Sequence, residues 1–162
     1  MRIAITGHRG LPAATERLVD KAIRDQLARD AAGDHLVGLS NLADGADQIF
    51  ARAVLDAGGQ LEVIVPAVQY RDGLPEATHG KYDLLLSAAS AVDRLSYIES
   101  TEESHMAASR AMLARADRLY AVWDGKPARG YGGTADVVAE AEGSGIPVTV
   151  IWPQGARRDE AA

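Results

Sequence analysis

Residues 2–29 read RIAITGHRGLPAATERLVDKAIRDQLAR, and this stretch contains the pattern that decides the fold. The apolar run at 2–6 is typical of a short strand, and it stops at a turn that begins with Gly7 and ends with Gly10. Apolar residues then recur at helical spacing over 13–29. The stretch therefore predicts a strand, a glycine turn and a helix in immediate succession.

The same succession occurs a second time along the chain. Residues 36–39 form the next apolar run, 41–45 form a polar turn, and 46–57 have helical spacing before two glycines. A third run at 61–65 is dense in aliphatic residues, as expected for a strand that is covered on both faces. Strands that alternate with helices in this way predict a parallel sheet.

The rest of the chain continues the alternation after an irregular polar segment at 66–80. The pattern predicts helices at 81–91, 101–116 and 134–142, and strands at 93–98, 119–123 and 148–152. The fold class is therefore α/β, a Rossmann-like three-layer sandwich with a mainly parallel sheet. We expect one domain over 1–153, followed by a flexible C-terminal tail at 154–162.

Composition limits the classes of partner and cofactor. The chain has 162 residues with 17 Lys and Arg against 23 Asp and Glu, and its formal charge of −6 argues against duplex nucleic acid as a partner. It has no cysteine, and its four histidines lack the spacing of a helical metal site, so we expect no metal. There is neither a signal peptide nor an apolar run long enough to span a membrane, which predicts a cytoplasmic protein without a membrane partner.

The turn after the first strand is the first candidate binding loop. Gly7 and Gly10 allow close backbone approach, His8 lies between them, and Arg9 offers a planar fork for a phosphate or a carboxylate. The same residues also fit a plain tight turn with a solvated arginine. The loop lacks the third glycine of the dinucleotide fingerprint, so no nicotinamide cofactor is expected.

The second candidate loop precedes the helix at 134–142. Gly132 and Gly133 would present backbone N–H groups, and together with the helix N-terminus they predict a phosphate pocket that Thr134 completes. Capping of the helix is the alternative role for Thr134, and complementing the helix dipole is the alternative role for Asp136. Asp124, at the end of the preceding strand, is a further candidate.

A third group of candidates lies after the second strand. Asn41, Asp44 and Gly45 belong to the turn, and Asp47 follows in the first helical turn, so these residues can face a ribose. Acidic residues are also common at this position for local reasons alone. Arg110 would reach the phosphate pocket from a neighbouring helix.

These segments, taken together and in order, resemble the SLOG superfamily, which includes the LONELY GUY phosphoribohydrolases and the DNA-processing protein A group. Residues 39–47, LSNLADGAD, are similar to the Ser-Gly-x-Ala-x-Gly-Ile-Asp stretch of the DNA-processing proteins. Residues 132–136, GGTAD, resemble the phosphate loop of the LONELY GUY enzymes. Those enzymes have two acidic residues after Gly-Thr, whereas this chain has Asp136 and then Val137.

The resemblance implies a homodimer that binds a nucleotide or a phosphoribosyl-type ligand at the glycine loops. The alternative function is an N-glycosidase acting on nucleoside monophosphates. In that function Asp136 or Asp124 would face the anomeric carbon, and Arg110 or His8 would assist the leaving base. A single-stranded DNA-binding domain is the third possibility, and the acidic balance counts against it. Pro66, Tyr70 and Met106 are candidates to line a slot for the base.

Overall fold

A computed structural model describes residues 1–158 of the chain. Its six strands are β1 (Arg2–Gly7), β2 (Val37–Ser40), β3 (Gln60–Ala67), β4 (Ala91–Tyr97), β5 (Arg118–Val122) and β6 (Val148–Val150). Its five α-helices are α1 (Ala13–Asp30), α2 (Ala46–Asp56), α3 (His79–Ser87), α4 (Glu102–Leu113) and α5 (Thr134–Gly143). Two single turns of 3₁₀ helix lie between β3 and α3, at Arg71–Gly73 and Glu76–Thr78.

The strands form one sheet in the order β4-β3-β2-β1-β5-β6, and every pair is parallel. The predicted α/β Rossmann-like architecture is therefore confirmed. The chain moves outward from β1 to β4 and then returns to the other side of β1 with β5. Ligands of open parallel sheets bind at such a reversal, which here lies beyond the carboxyl ends of β1 and β5.

Alternate residues of β1 face opposite layers of the sandwich. Ile3 and Ile5 pack in the cluster that contains the buried faces of α1 and α2. Ala4 packs on the other side, in the cluster that contains the buried faces of α4 and α5. A third cluster joins β3 to α3. All four β1 side chains from Ile3 to Thr6 are buried, as expected for a central parallel strand.

The boundary between α3 and β4 differs most from the prediction. The helix predicted at 81–91 ends at Ser87, and β4 starts at Ala91. Alanines at 88, 89 and 91 favour helix by propensity, but the backbone N–H and the hydroxyl of Ser90 both donate to the carbonyl of Leu61. This pairing with β3 draws the chain into the sheet, so tertiary contact outweighs local propensity.

The start of α4 and the packing of its small residues are well defined. Thr101 caps the helix in a capping box with Ser104, where each side chain accepts from the other residue's backbone N–H. Ala108 is fully buried and Ala111 packs beside it in the same cluster, against the sheet. Two of the small residues of this helix thus pack in the core between the helix and the sheet.

Gly7 has a steric role at the centre of the fold. A Cβ atom at this position would overlap the Cβ of Ala46 and would lie 2.8 Å from the Cβ of Val122. Both neighbours are buried, so neither can move aside cheaply. The end of β1 therefore has to be glycine for α2 and β5 to approach it.

We expect Gly7→Ala to lower the free energy of unfolding by about 1–3 kcal/mol through overpacking. Gly143→Ala is the matched control, because Gly143 ends α5 and a Cβ there meets no atom within 4 Å. The control should be neutral or slightly stabilising. Urea denaturation of both variants measures the difference, and equal midpoints would contradict the steric role.

Candidate functional site

A cleft of about 260 Å³ lies at the predicted edge of the sheet. Its wall is formed by the loops after β1, β2, β3 and β5, by the start of α5, and by part of α4. The residues that line it are Ile5, Thr6, Gly7, His8, Arg9, Asn41, Ala43, Asp47, Pro66, Tyr70, His105, Ser109, Lys126, Pro127, Ala128, Arg129, Gly130, Tyr131, Gly132, Gly133, Thr134, Ala135 and Arg158.

His8 joins three of these segments. The backbone N–H of Asp124 donates to its Nε2 at 3.0 Å, and its Nδ1 lies 3.3 Å from the hydroxyl oxygen of Thr134. A backbone N–H can only donate, so Nε2 accepts from it and the ring proton is on Nδ1, although Oδ1 of Asp124 also lies 3.2 Å from Nε2. Nδ1 therefore donates to Thr134, whose own hydroxyl hydrogen stays available to an acceptor in the cleft.

The charge state of His8 agrees with this arrangement. Burial lowers the pKa of His8 to about 4, and the positive charge of Arg158 adds to that shift, whereas Asp124 opposes it. The ring of Trp152 also contacts the imidazole edge-on at a centroid distance of 5.5 Å. His8 is thus a neutral positioning group at pH 7.

Arg9 is held by a carboxylate outside the cleft. Its Nε donates to Oδ1 of Asp44 at 2.8 Å, and Oδ2 of Asp44 accepts the backbone N–H of Gly10. Among residues 1–158, no hydrogen-bond acceptor contacts the two Nη groups of Arg9. The guanidinium therefore presents those groups to the cleft in a direction that Asp44 sets.

The free backbone donors before and at the start of α5 lie two residues later than predicted. Gly132 donates its N–H to the carboxylate of Asp136 at 2.9 Å, and Gly133 donates to the carbonyl of Gly130. Thr134 and Ala135 are the first two residues of α5, so their N–H groups have no acceptor within the helix. These two amides and the Thr134 hydroxyl lie at the start of α5, where they give the cleft hydrogen-bond donors of the kind that bind an anion.

The loop after β2 is closed by side-chain hydrogen bonds. The hydroxyl of Ser40 accepts the N–H of Leu42, a buried residue whose φ of 57° lies in the left-handed region. Nδ2 of Asn41 donates to the carbonyl of Ile64 at 2.8 Å. Gly45 has a φ of 85°, and a Cβ there would lie 2.6 Å from the carbonyl oxygen of His8, so the loops after β1 and β2 meet at a glycine.

Asp47 and Tyr70 are polar, buried and open to the cleft. Oδ2 of Asp47 accepts the N–H of Ala43, but its Oδ1 and the hydroxyl of Tyr70 have no partner among residues 1–158. Asp47 is 7% exposed and Tyr70 is 4% exposed. Neither polar atom is sealed from solvent, and both residues line the cleft, so the open atoms face it.

Burial dominates the protonation of this group. It raises the pKa of Asp47 to about 7, although the N–H of Ala43 and the charge of Arg9 favour the ionised form. Burial also raises the pKa of Tyr70 well above its usual value. His105, which contacts Tyr70 edge-on, has its pKa lowered by burial and by Arg9.

The predicted site residues fall into two sets. The cleft is lined by Gly7, His8, Arg9, Asn41, Gly132, Gly133 and Thr134. Four others support it from outside: Asp44 and Gly10 fix Arg9, Gly45 lets the loops meet, and Asp124 holds His8.

The two predicted catalytic residues do not line the cleft. The carboxylate of Asp136 accepts the N–H of Gly132, which closes the glycine loop. Arg110 lies on the surface, where it donates to Glu140 at 3.2 Å and contacts the hydroxyl of Tyr131. Both side chains therefore have structural partners in the folded chain.

Sequence reasoning left out several residues of the cleft. The sequence places Asp44 and Asp47 in the same turn. It gives no sign that Asp44 binds Arg9 whereas Asp47 keeps one carboxylate oxygen without a partner among residues 1–158. Pro66 and Tyr70 line the cleft as expected for a slot, whereas Met106 is buried in the core. Arg158 belongs to the predicted tail, yet it lines the cleft with its Nη1 at 4.0 Å from Asp124.

The described part of that tail packs on α1. The N–H of Arg157 donates to the hydroxyl of Thr15, and Gly155 lies against Leu18. Residues 159–162 of the predicted tail lie outside the described residues. Within the described ones, no group of three or more His, Asp or Glu side chains has the arrangement of a metal site.

Similar folds occur in solved structures. DNA processing protein A from Streptococcus pneumoniae matches with a TM-score of 0.65 and 19% identity over 95% of this chain and 51% of that one. A second one, from Helicobacter pylori, whose single-stranded DNA-binding mode has been described, has a TM-score of 0.65 and 16% identity over 98% and 68%. The molybdenum cofactor binding protein of Rippkaea orientalis has a TM-score of 0.59 and 14% identity over 94% and 77%.

The chain shares its fold with these three proteins. It spans about half the length of the S. pneumoniae protein. No protein-family model matches it, and no curated protein is similar to it in sequence. These likenesses to solved structures, all at or below 19% identity, establish the fold and no particular activity.

None of the helices in the described part of the chain is long and apolar enough to span a membrane.

We expect His8 to titrate near pH 4 in the folded protein, with the proton of the neutral form on Nδ1. The unfolded chain takes up this proton near pH 6.5. Between those values the unfolded state binds more protons, so the contribution of His8 to the free energy of unfolding falls as the pH falls. Two-dimensional NMR of the ring nitrogens measures both properties. A midpoint near 6.5, or a neutral form protonated on Nε2, would contradict the hydrogen-bond assignment.

Proposed function

We propose that this protein binds a small phosphate-bearing ligand of the nucleotide or phosphoribosyl class in the cleft. The observation that supports this most directly is the meeting of cationic side chains with the N-terminus of α5 in one cavity of an acidic chain. Arg9, Lys126, Arg129 and Arg158 line the cleft, and Asp47 is the one carboxylate among its described lining residues. The chain as a whole has a formal charge of −6, whereas the side chains that line this cleft carry an excess of positive charge.

The donors suit a phosphate in particular. Thr134 and Ala135 offer two backbone N–H groups at the positive end of the α5 dipole, and the Thr134 hydroxyl is free to donate because His8 occupies its lone pair. Arg9 adds Nη donors in a fixed direction. A tetrahedral anion with several acceptor oxygens can use all of these groups together.

The size of the cleft favours one small molecule. Its volume of about 260 Å³ is close to the lower end of the range for small-molecule sites, roughly 300–1,000 Å³. A mononucleotide or a sugar phosphate is a ligand of this size, and a dinucleotide is too large. Binding of a longer nucleic acid strand would have to extend beyond the cleft onto an acidic protein surface.

Hydrolysis of the ligand is not part of the proposal. Asp136 and Arg110, the residues predicted for N-glycosidic cleavage, lie outside the cleft and are engaged with other groups. Affinity needs only the donors described above, whereas hydrolysis needs a correctly placed carboxylate as well. A homodimer and a cytoplasmic location remain expectations from the sequence, and sedimentation of the purified protein tests the first of them.

Isothermal titration calorimetry with ribose 5-phosphate and with AMP tests the proposal. We expect both ligands to bind the native protein, and Arg9→Gln to weaken each by at least about tenfold through the loss of charge-assisted hydrogen bonds. Arg24→Gln is the matched control, because Arg24 forms ion pairs with Asp20 and Asp56 on α1 and α2, away from the cleft. It removes the same charge and should leave both affinities unchanged.

Two results would overturn this function. One is the absence of heat with every phosphate-bearing ligand, and the other is an equal loss of affinity in the Arg9 and Arg24 variants. Fluorescence anisotropy with a single-stranded oligonucleotide separates the remaining possibility. Tight, strongly salt-dependent binding of the oligonucleotide without binding of mononucleotides would favour a DNA-binding function instead.

A further inference from the structure

Two side chains that line the cleft have unused hydrogen-bond acceptors. Nδ2 of Asn41 donates to the carbonyl of Ile64, which can only accept, so the orientation of the amide is fixed and Oδ1 is its free atom. No donor contacts that oxygen among residues 1–158. Oδ1 of Asp47 is open in the same way. Asn41 and Asp47 are 9% and 7% exposed and both line the cleft.

Ring surfaces lie close to these acceptors. Tyr70, Pro66 and His105 line the same cavity, and Tyr70 interacts electrostatically with Asp47. Nε2 of His105 is already bonded to the hydroxyl of Ser100 at 2.7 Å, so the imidazole offers mainly its faces and edges. A flat heterocycle placed here would contact rings and find two acceptors within a buried wall.

We propose that Asp47 and Asn41 recognise the exocyclic amino group of a nucleobase, so that the cleft selects amino-bearing mononucleotides over those with a carbonyl at the same ring position. An amino group has two hydrogens, and the site has two open acceptors for them. A carbonyl at that position would face the two oxygens without a hydrogen bond. This inference rests on the proposed function, because the phosphate end provides the common part of the binding.

The substitution Asp47→Asn gives a specific test of this arrangement. The N–H of Ala43 requires an acceptor where Oδ2 now lies, so the amide oxygen of the new side chain takes that position. Its NH₂ group then replaces the open Oδ1, and the cleft presents a donor where it had an acceptor. A variant of nearly the same shape thus reverses the preference for the base.

The charges around Asp47 determine the conditions of the experiment. Arg9 and Asp44 face it from the loops after β1 and β2, Tyr70 from the loop after β3, and His105 lies beside Tyr70 on α4. Asp47 has a pKa of about 7, so measurements at pH 8 keep it ionised and accepting. The phosphate of the ligand is also fully charged at that pH.

Calorimetry at pH 8 with two matched ligand pairs, AMP against IMP and CMP against UMP, provides the measurement. In the native protein we expect AMP and CMP to bind at least about tenfold more tightly than their carbonyl partners. In Asp47→Asn we expect this preference to disappear or to reverse, with each nucleotide affinity compared with the affinity of the same variant for ribose 5-phosphate. Ribose 5-phosphate has no base, so it reports on the phosphate end alone.

The outcomes separate this inference from the function on which it rests. If ribose 5-phosphate binds and the native protein fails to distinguish AMP from IMP and CMP from UMP, base recognition is rejected and phosphate binding stands. An unchanged preference in Asp47→Asn also rejects it. If no phosphate-bearing ligand binds the native protein, the proposed function itself fails. The native panel decides the matter even if the variant does not fold.

Discussion

The neutral imidazole of His8 is the contact on which the cleft depends, because it joins the loops after β1 and β5 to the first turn of α5. It can do so only at the close approach that Gly7 allows, where α2 and β5 leave no room for a Cβ. Protonation would remove the acceptor for the Asp124 N–H and add a cation next to Arg158. The low pKa and the loop geometry therefore have the same cause, which is burial of the ring among three segments.

Several of the predicted site residues hold the loops around the cleft in place. Asp44, Asp124 and Asp136 each accept a backbone N–H of a binding loop, from Gly10, Lys126 and Gly132 respectively. Acidic side chains near an anion site would otherwise repel the ligand. Each of these three carboxylates accepts a hydrogen bond from its loop and thereby orders that loop. The cationic side chains and the free N–H groups line the cleft.

The fold was predictable from the sequence because its determinants are local and repeated. Three apolar runs, each followed by a turn, define β1, β2 and β3, and helical spacing defines α1 and α2. The boundary between α3 and β4 was not predictable from the sequence. The helix propensity of the alanines at 88–91 gives no information on the hydrogen bonds that Ser90 donates to the carbonyl of Leu61. The site was predictable as a set of loops, but the role of each residue was not. Whether Asp44 or Asp47 faces the ligand depends on which one reaches Arg9, and that contact spans 35 residues of sequence.

Asp44 and Asp47 show how one loop can contain two carboxylates with opposite tasks. Asp44 has two donors, a guanidinium nitrogen and a backbone N–H, and both stabilise its charge. Asp47 accepts only the N–H of Ala43, while Arg9 donates to Asp44. The loss of hydration on burial therefore outweighs the stabilisation of the Asp47 charge by Ala43 and Arg9, and the pKa of Asp47 rises to about 7. A buried carboxyl with an open oxygen lowers stability unless something pairs with it. Asp44, Asp124 and Asp136 around the cleft all have partners, so the open oxygen of Asp47 is the carboxylate atom of the cleft that is left to accept from the proposed ligand.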